Sequence, residues 1–136
     1  MTLWLARIGA ALFGLWGLLH ILAAISVLEL AQTLEAGIVQ GRLFQDAVFL
    51  LFFAVLAIVT AYWNAKNSPK AYAINLIGTS VSDIPFILFL VLPGYIPPPT
   101  NFVGPALWLA AILLSGTALW MRSKTSAEAA PDLGAQ

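Results

Sequence analysis

Residues 8–28 read IGAALFGLWGLLHILAAISVL, twenty-one consecutive positions with no Asp, Glu, Lys or Arg. A helix that crosses the hydrocarbon core of a bilayer needs about 20 predominantly apolar residues at 1.5 Å rise each. Buried helices of soluble domains have much shorter apolar runs, so this stretch reads as a transmembrane helix. It extends outward on both sides, to a first span over about residues 3–30.

Three further stretches meet the same criterion: residues 44–63, around the dense block AVFLLFFAVLAIVT (47–60); residues 71–92; and residues 102–121. The whole composition agrees. Of 136 residues, 61% are hydrophobic and only 9% charged, against about 25% charged in soluble domains. Too few polar side chains remain to coat a water-soluble surface. A formal net charge of zero lacks the basic excess of a nucleic-acid binder. The absence of cysteine removes thiol catalysis, disulfides and cysteine-ligated metals. The expected fold is an all-α integral membrane protein, an up-down bundle of four transmembrane helices with the lipid bilayer as its solvent.

Helix breakers mark the boundaries. Ser68-Pro69 is an N-cap followed by proline at the first helical position. Pro93-Gly94 closes the third span, and Pro97-Pro98-Pro99 forms a stiff connector. Gly104-Pro105 falls in the first turn of the fourth span, where proline costs no hydrogen bond. The segment Ala31–Arg42 reads as a connection in which the first helix stops before Gly37. Residues 122–136 lack apolar periodicity and are expected to form a disordered cytoplasmic tail.

Alternating spans place Arg7, Lys66, Lys70, Arg122 and Lys124 on one side and Arg42 alone on the other. By the positive-inside rule both termini are expected to be cytoplasmic. Trp4, Tyr62, Trp63, Tyr72 and Trp120 fall at the same ends, as an interfacial aromatic belt does. The first span is too long for a signal-peptide core and lacks a small-x-small cleavage site, so it is expected to be retained. The expected location is the plasma (inner) membrane of a bacterium.

The residue that stands out is Asp83, at the thirteenth position of the 22-residue third span. A charge at this depth costs about 2.5–3.5 kcal/mol on insertion scales, so the side chain should face protein or water rather than lipid. At 100° per residue, Asn75, Gly78, Thr79, Ser82 and Asp83 occupy an arc of about 140° on one side of the helix. Pro85 deprives the Val81 carbonyl of its N–H partner, which predicts a kink beside Asp83. The stripe reads either as a polar binding or proton site or as glue between helices.

His20 is the only histidine. It shares a face with Gly9, Phe13, Trp16, Gly17 and Ala24 and lies at a depth similar to that of Asp83. The first reading is a neutral histidine bonded to a hydroxyl or a backbone carbonyl; a His20–Asp83 contact, which would offset two desolvation penalties, is the sharper alternative. One histidine cannot supply bis-histidine haem ligation, and neither a metal nor any other cofactor is expected. Small-residue ladders at Ala6, Ala10 and Gly14, and at Ala106 and Ala110, permit close helix approach. Near the outer surface lie Glu29, Glu35, Arg42, Gln45 and Asp46; Asp46 reads as a charge that complements the dipole of the second helix, with a cation-binding acidic mouth as the alternative. No phosphate loop, nucleophile elbow or dinucleotide fingerprint occurs.

The candidate intramembrane polar site is thus Asp83, His20, Asn75, Thr79 and Ser82. Three function classes fit it. The first is a non-catalytic packing, accessory or hydrophobic-ligand-binding module, as a homo-oligomer or within a larger membrane complex. The second is an oligomeric proton- or ion-coupled transporter using Asp83. The third is a membrane enzyme with Asp83 and His20 as its acid–base pair.

Overall fold

The computed structural model describes residues 2–128. Four long helices run in order: α1 (Thr2–Gln32), α2 (Ile38–Asn64), α3 (Pro69–Phe86), extended by a π-helical turn (Ile87–Val91), and α4 (Thr100–Glu128). All are long and apolar enough to cross a membrane, the third when taken through Val91. α1 packs chiefly on α2 and α4, and α3 sits mainly on α2 with a sparser seam to α4.

The interior and exterior are inverted relative to a soluble bundle. Apart from Phe13 and Trp16, the buried positions are small or polar: Ala6, Ala10, Ala54, Ala57, Asn75 and Thr79 among them. Leu15, Leu18, Leu22, Val48, Phe52 and Val55 point outward. This is the pattern of helices packed in lipid, where apolar surface gains nothing by leaving the solvent and close backbone approach with interhelical hydrogen bonds holds helices together. Gly17 illustrates the approach: a Cβ there would lie 2.7 Å from the Ala54 carbonyl oxygen and 2.6 Å from the Ile58 side chain. Gly9 is equally tight against Ser115 and its backbone on α4. Gly14 has open space in front of its missing side chain, so the ladder predicted through Ala6, Ala10 and Gly14 ends at Ala10, and Gly17 takes over. On α4 the predicted pair Ala106 and Ala110 is not the packed face. Ala106 is exposed, and the buried row is Ala111, Ser115 and Ala118, one 100° step round the helix.

The end of the bundle that holds the α2–α3 turn is pinned by polar groups. Asn67 adopts a left-handed conformation, φ 58°, which asparagine tolerates better than most residues. Its Nδ2 donates to the Ala118 carbonyl at 3.2 Å and its own carbonyl accepts from Arg122 at 2.7 Å. Ser68 Oγ then accepts from the Ala71 N–H and starts α3. At this end, Lys66 and Lys124 lie 4.0 and 4.1 Å from the ring centroids of Tyr62 and Trp120, cation–π contacts suited to an interfacial belt.

Three boundaries depart from the expected ones. α2 begins at Ile38 rather than near Phe44, because only Gly41 weakens helix formation in between. α4 continues to Glu128, through the first seven residues of the expected tail. Thr125 and Ser126 hydroxyls bond back to the Met121 and Arg122 carbonyls there, and no proline intervenes before Pro131. The remainder of that tail, 129–136, lies outside the described residues. Beyond Pro85, Ile87 N–H reaches the carbonyls of Asp83 and Ile84. The helix then widens into the π turn, so the irregularity predicted beside Asp83 lies one turn farther on.

Candidate functional site

Asp83 is fully buried at the centre of the bundle, on the face of α3 turned toward α1 and α4. Trp16 on α1 donates its indole Nε1–H to Asp83 Oδ2 at 2.6 Å. One turn on, His20 stacks its imidazole on the Trp16 ring, centroids 3.7 Å apart. His20 Nδ1 lies 2.9 Å from the Trp16 carbonyl oxygen. A carbonyl can only accept, so Nδ1 carries the proton and Nε2 is the atom turned toward Asp83. The Nε2–Oδ1 separation is 3.7 Å, a polar contact that is too long for a hydrogen bond. Asp83 Oδ1 has no hydrogen-bond partner.

The fourth wall is glycine. A Cβ at Gly104 of α4 would stand 3.5 Å from His20 Cε1 and 3.7 Å from Asp83 Oδ1. The missing side chain leaves a methyl-sized space beside the pair.

That space continues into a cavity of about 690 Å³. It occupies the half of the bundle that carries the α1–α2 and α3–α4 connections. Its floor is His20, Asp83 and Gly104, and its walls are mainly apolar, with phenylalanines from α2 (Phe49, Phe53) and from α3 and its π turn (Phe86, Phe89). Ser26, Ser82 and Asp46 add polar groups. The π turn carries Phe89 and Leu90 of the wall, so the break in α-helical geometry after Pro85 helps shape the cavity. The volume lies in the range of small-molecule sites, which are concave, mostly apolar and furnished with a few convergent polar groups.

Of the five residues singled out in the sequence, His20 and Asp83 face each other and Ser82 lines the same cavity. Asn75 and Thr79 do not belong to it. They continue the buried stripe one and two turns toward the opposite end, against α2. Asn75 Oδ1 accepts a short hydrogen bond from Thr60, and Thr79 donates to its own helix at the Asn75 carbonyl. A further cross-helix bond runs from Asn64 to Ser115 at 2.9 Å. The Thr60–Asn75 and Asn64–Ser115 bonds tie helices together, the role interhelical polar contacts have in membranes. Of the outer acidic residues, Asp46 lines the cavity. No group of three or more metal-ligating side chains occurs among the described residues.

Sequence reasoning missed Trp16 as the partner of Asp83, although the i, i+4 spacing of Trp16 and His20 places both on one helix face. It also missed Gly104, which reads locally as nothing more than the start of a helix. No protein family, curated protein or solved structure matches the chain.

Proposed function

We propose that this is a plasma-membrane protein with both termini on the cytoplasmic side, which binds a membrane-soluble small molecule in the cavity above Asp83 and His20. The observation that carries the reading is an unpartnered, fully buried carboxylate oxygen at the floor of a roughly 690 Å³ apolar cavity. Native interiors seldom leave a buried polar atom unpaired, and such an atom in a cavity marks where a ligand polar group fits. Asp46 at the cavity edge and the connections on that side face the exterior in this orientation.

The cavity can be filled without touching its floor. Ala23 lines it from α1, and Ala23→Phe places a ring in the space. Solvent extraction of purified wild-type protein, followed by mass spectrometry, is expected to release an apolar compound in near-stoichiometric amount. Ala23→Phe should lose it while melting at the wild-type temperature. Identical extracts from the two proteins would remove the reading.

The orientation has its own check, made easy by the lack of native cysteine. Tyr95→Cys is expected to react with a membrane-impermeant maleimide on intact spheroplasts, and Ser126→Cys only after permeabilisation. The reverse pattern would invert the protein in the membrane.

Proton-coupled transport through Asp83 is the second reading, drawn from the polar groups that continue past it. Those groups are engaged in cross-helix pairs, which favours a structural role for them. Proton uptake into vesicles that vanishes in a well-folded Asp83→Asn protein would shift the balance to transport.

A further inference from the structure

The polar groups at the cavity floor select the chemistry of what enters. They are two: Asp83 Oδ1, fully buried and unpartnered, and His20 Nε2, 3.7 Å away. Asp83 Oδ2 is already engaged by Trp16 and His20 Nδ1 by the Trp16 carbonyl, so neither competes for an incoming group. Atoms 3.7 Å apart are close enough for one oxygen to hydrogen-bond both at about 2.8 Å. Glycine at 104 leaves a methyl-sized space beside them, since a Cβ there would lie 3.5 Å from His20 and 3.7 Å from Asp83.

A lone ionised carboxylate at this depth is costly, and one proton, carried either by Asp83 Oδ1 or by His20 Nε2, leaves the pair with no net charge. The pair then presents one donor and one acceptor. A hydroxyl group, which donates once and accepts twice, matches that set in either arrangement of the proton. A ketone or ether oxygen accepts only, and an ammonium donates only, so each leaves one of the two atoms unsatisfied. The four phenylalanines of the walls suit a ring next to the hydroxyl, since aromatic pairs gain beyond simple area burial.

We infer that the cavity takes a lipid-soluble hydroxyl compound, with a ring-bearing alcohol or phenol as its best fit, and holds the hydroxyl between Asp83 Oδ1 and His20 Nε2. This deepens the proposed binding role and rests on it.

Two probes of nearly equal size separate the inference from its premise: 4-nonylphenol and its methyl ether, 4-nonylanisole. The ether keeps the ring, the chain and an acceptor oxygen and loses only the donor. Binding to the wild-type protein in nanodiscs is read by isothermal titration. The phenol is expected to bind at least about tenfold more tightly, the scale of one hydrogen bond to a charged or charge-sharing group. Gly104→Val fills the headgroup position and leaves the Trp16–Asp83 bond alone; it should bring the phenol down to the affinity of the ether. Equal binding of both probes to the wild type would overturn the hydroxyl assignment while leaving an apolar ligand site. Binding of neither probe would overturn both. A preference for the phenol that survives unchanged in Gly104→Val would place its hydroxyl elsewhere and overturn the assignment to this pair.

Discussion

Gly17→Leu is expected to destabilise the protein by about 3 kcal/mol, the upper part of the range for overpacking. The reason is what a side chain at Gly17 meets. Its Cβ alone would lie 2.7 Å from the Ala54 carbonyl oxygen. A backbone oxygen inside a helix cannot swing aside as a side-chain tip can. The strain must instead be relieved by moving α1 away from α2 along their longest interface. Gly14→Leu is the control, three residues earlier on the same helix. Nothing lies within 4 Å of a Cβ there, and leucine is the better helix former by roughly 0.5–1 kcal/mol. Gly14→Leu should therefore match or exceed the wild type. Thermal unfolding in detergent micelles measures both, and equal losses from the two substitutions would refute the close α1–α2 seam.

The second large effect is expected at the Trp16–Asp83 bond. Trp16→Phe keeps most of the ring but leaves Asp83 buried with no hydrogen-bond donor on either oxygen. Stranding a buried charged partner costs about 3–5 kcal/mol in soluble proteins. Measured interhelical polar contacts in membranes are weaker, about 0.6 and up to 1.7 kcal/mol, so a loss near 2 kcal/mol is expected. Asp83→Leu alone strands the indole N–H instead, at about 1–3 kcal/mol. In the double variant both polar groups are gone, and its loss should fall clearly short of the sum of the single losses. A double-mutant cycle reads the difference. Additive losses would mean that the 2.6 Å bond contributes nothing of its own.

Asp83 also illustrates how far local reading reaches. Its isolation in an apolar span is legible because hydrocarbon penalises a carboxylate wherever the other helices lie. That it should face inward follows from the same penalty. The identity of its neighbour does not. His20 and Asp83 are 63 positions apart, and depth along two parallel spans brings them level without fixing their rotation. The rotation comes from Gly9 against α4 and Gly17 against α2. Their missing side chains let α1 sink into the bundle with Trp16 and His20 turned inward. Asn75 and Thr79 share the Asp83 stripe, yet neither lines the cavity: Asn75 bonds Thr60 of α2 and Thr79 bonds its own helix. Helical periodicity assigns a face and cannot divide that face among different partners.

The π turn and Gly104 are similar cases. Pro85 foretells a disturbance in the helix, since its ring and absent N–H act locally. Where the disturbance is absorbed depends on which neighbouring carbonyls and side chains accommodate it, here one turn later at Ile87–Val91. Gly104 is an ordinary residue near a helix start until α4 is laid against His20 and Asp83.

By itself the sequence determined four helices long and apolar enough to cross a membrane, their connections near Ser68-Pro69 and Pro93-Gly94, and the one carboxylate midway along the third. Each of these follows from hydropathy, chain length and backbone sterics, which act within a single segment. Only the tertiary structure decided that Trp16 holds one oxygen of that carboxylate and that the other, facing His20, opens on a cavity. Those facts depend on the rotation and separation of helices packed against one another. In a bundle without a hydrophobic drive between its helices, small residues far apart in the chain set both.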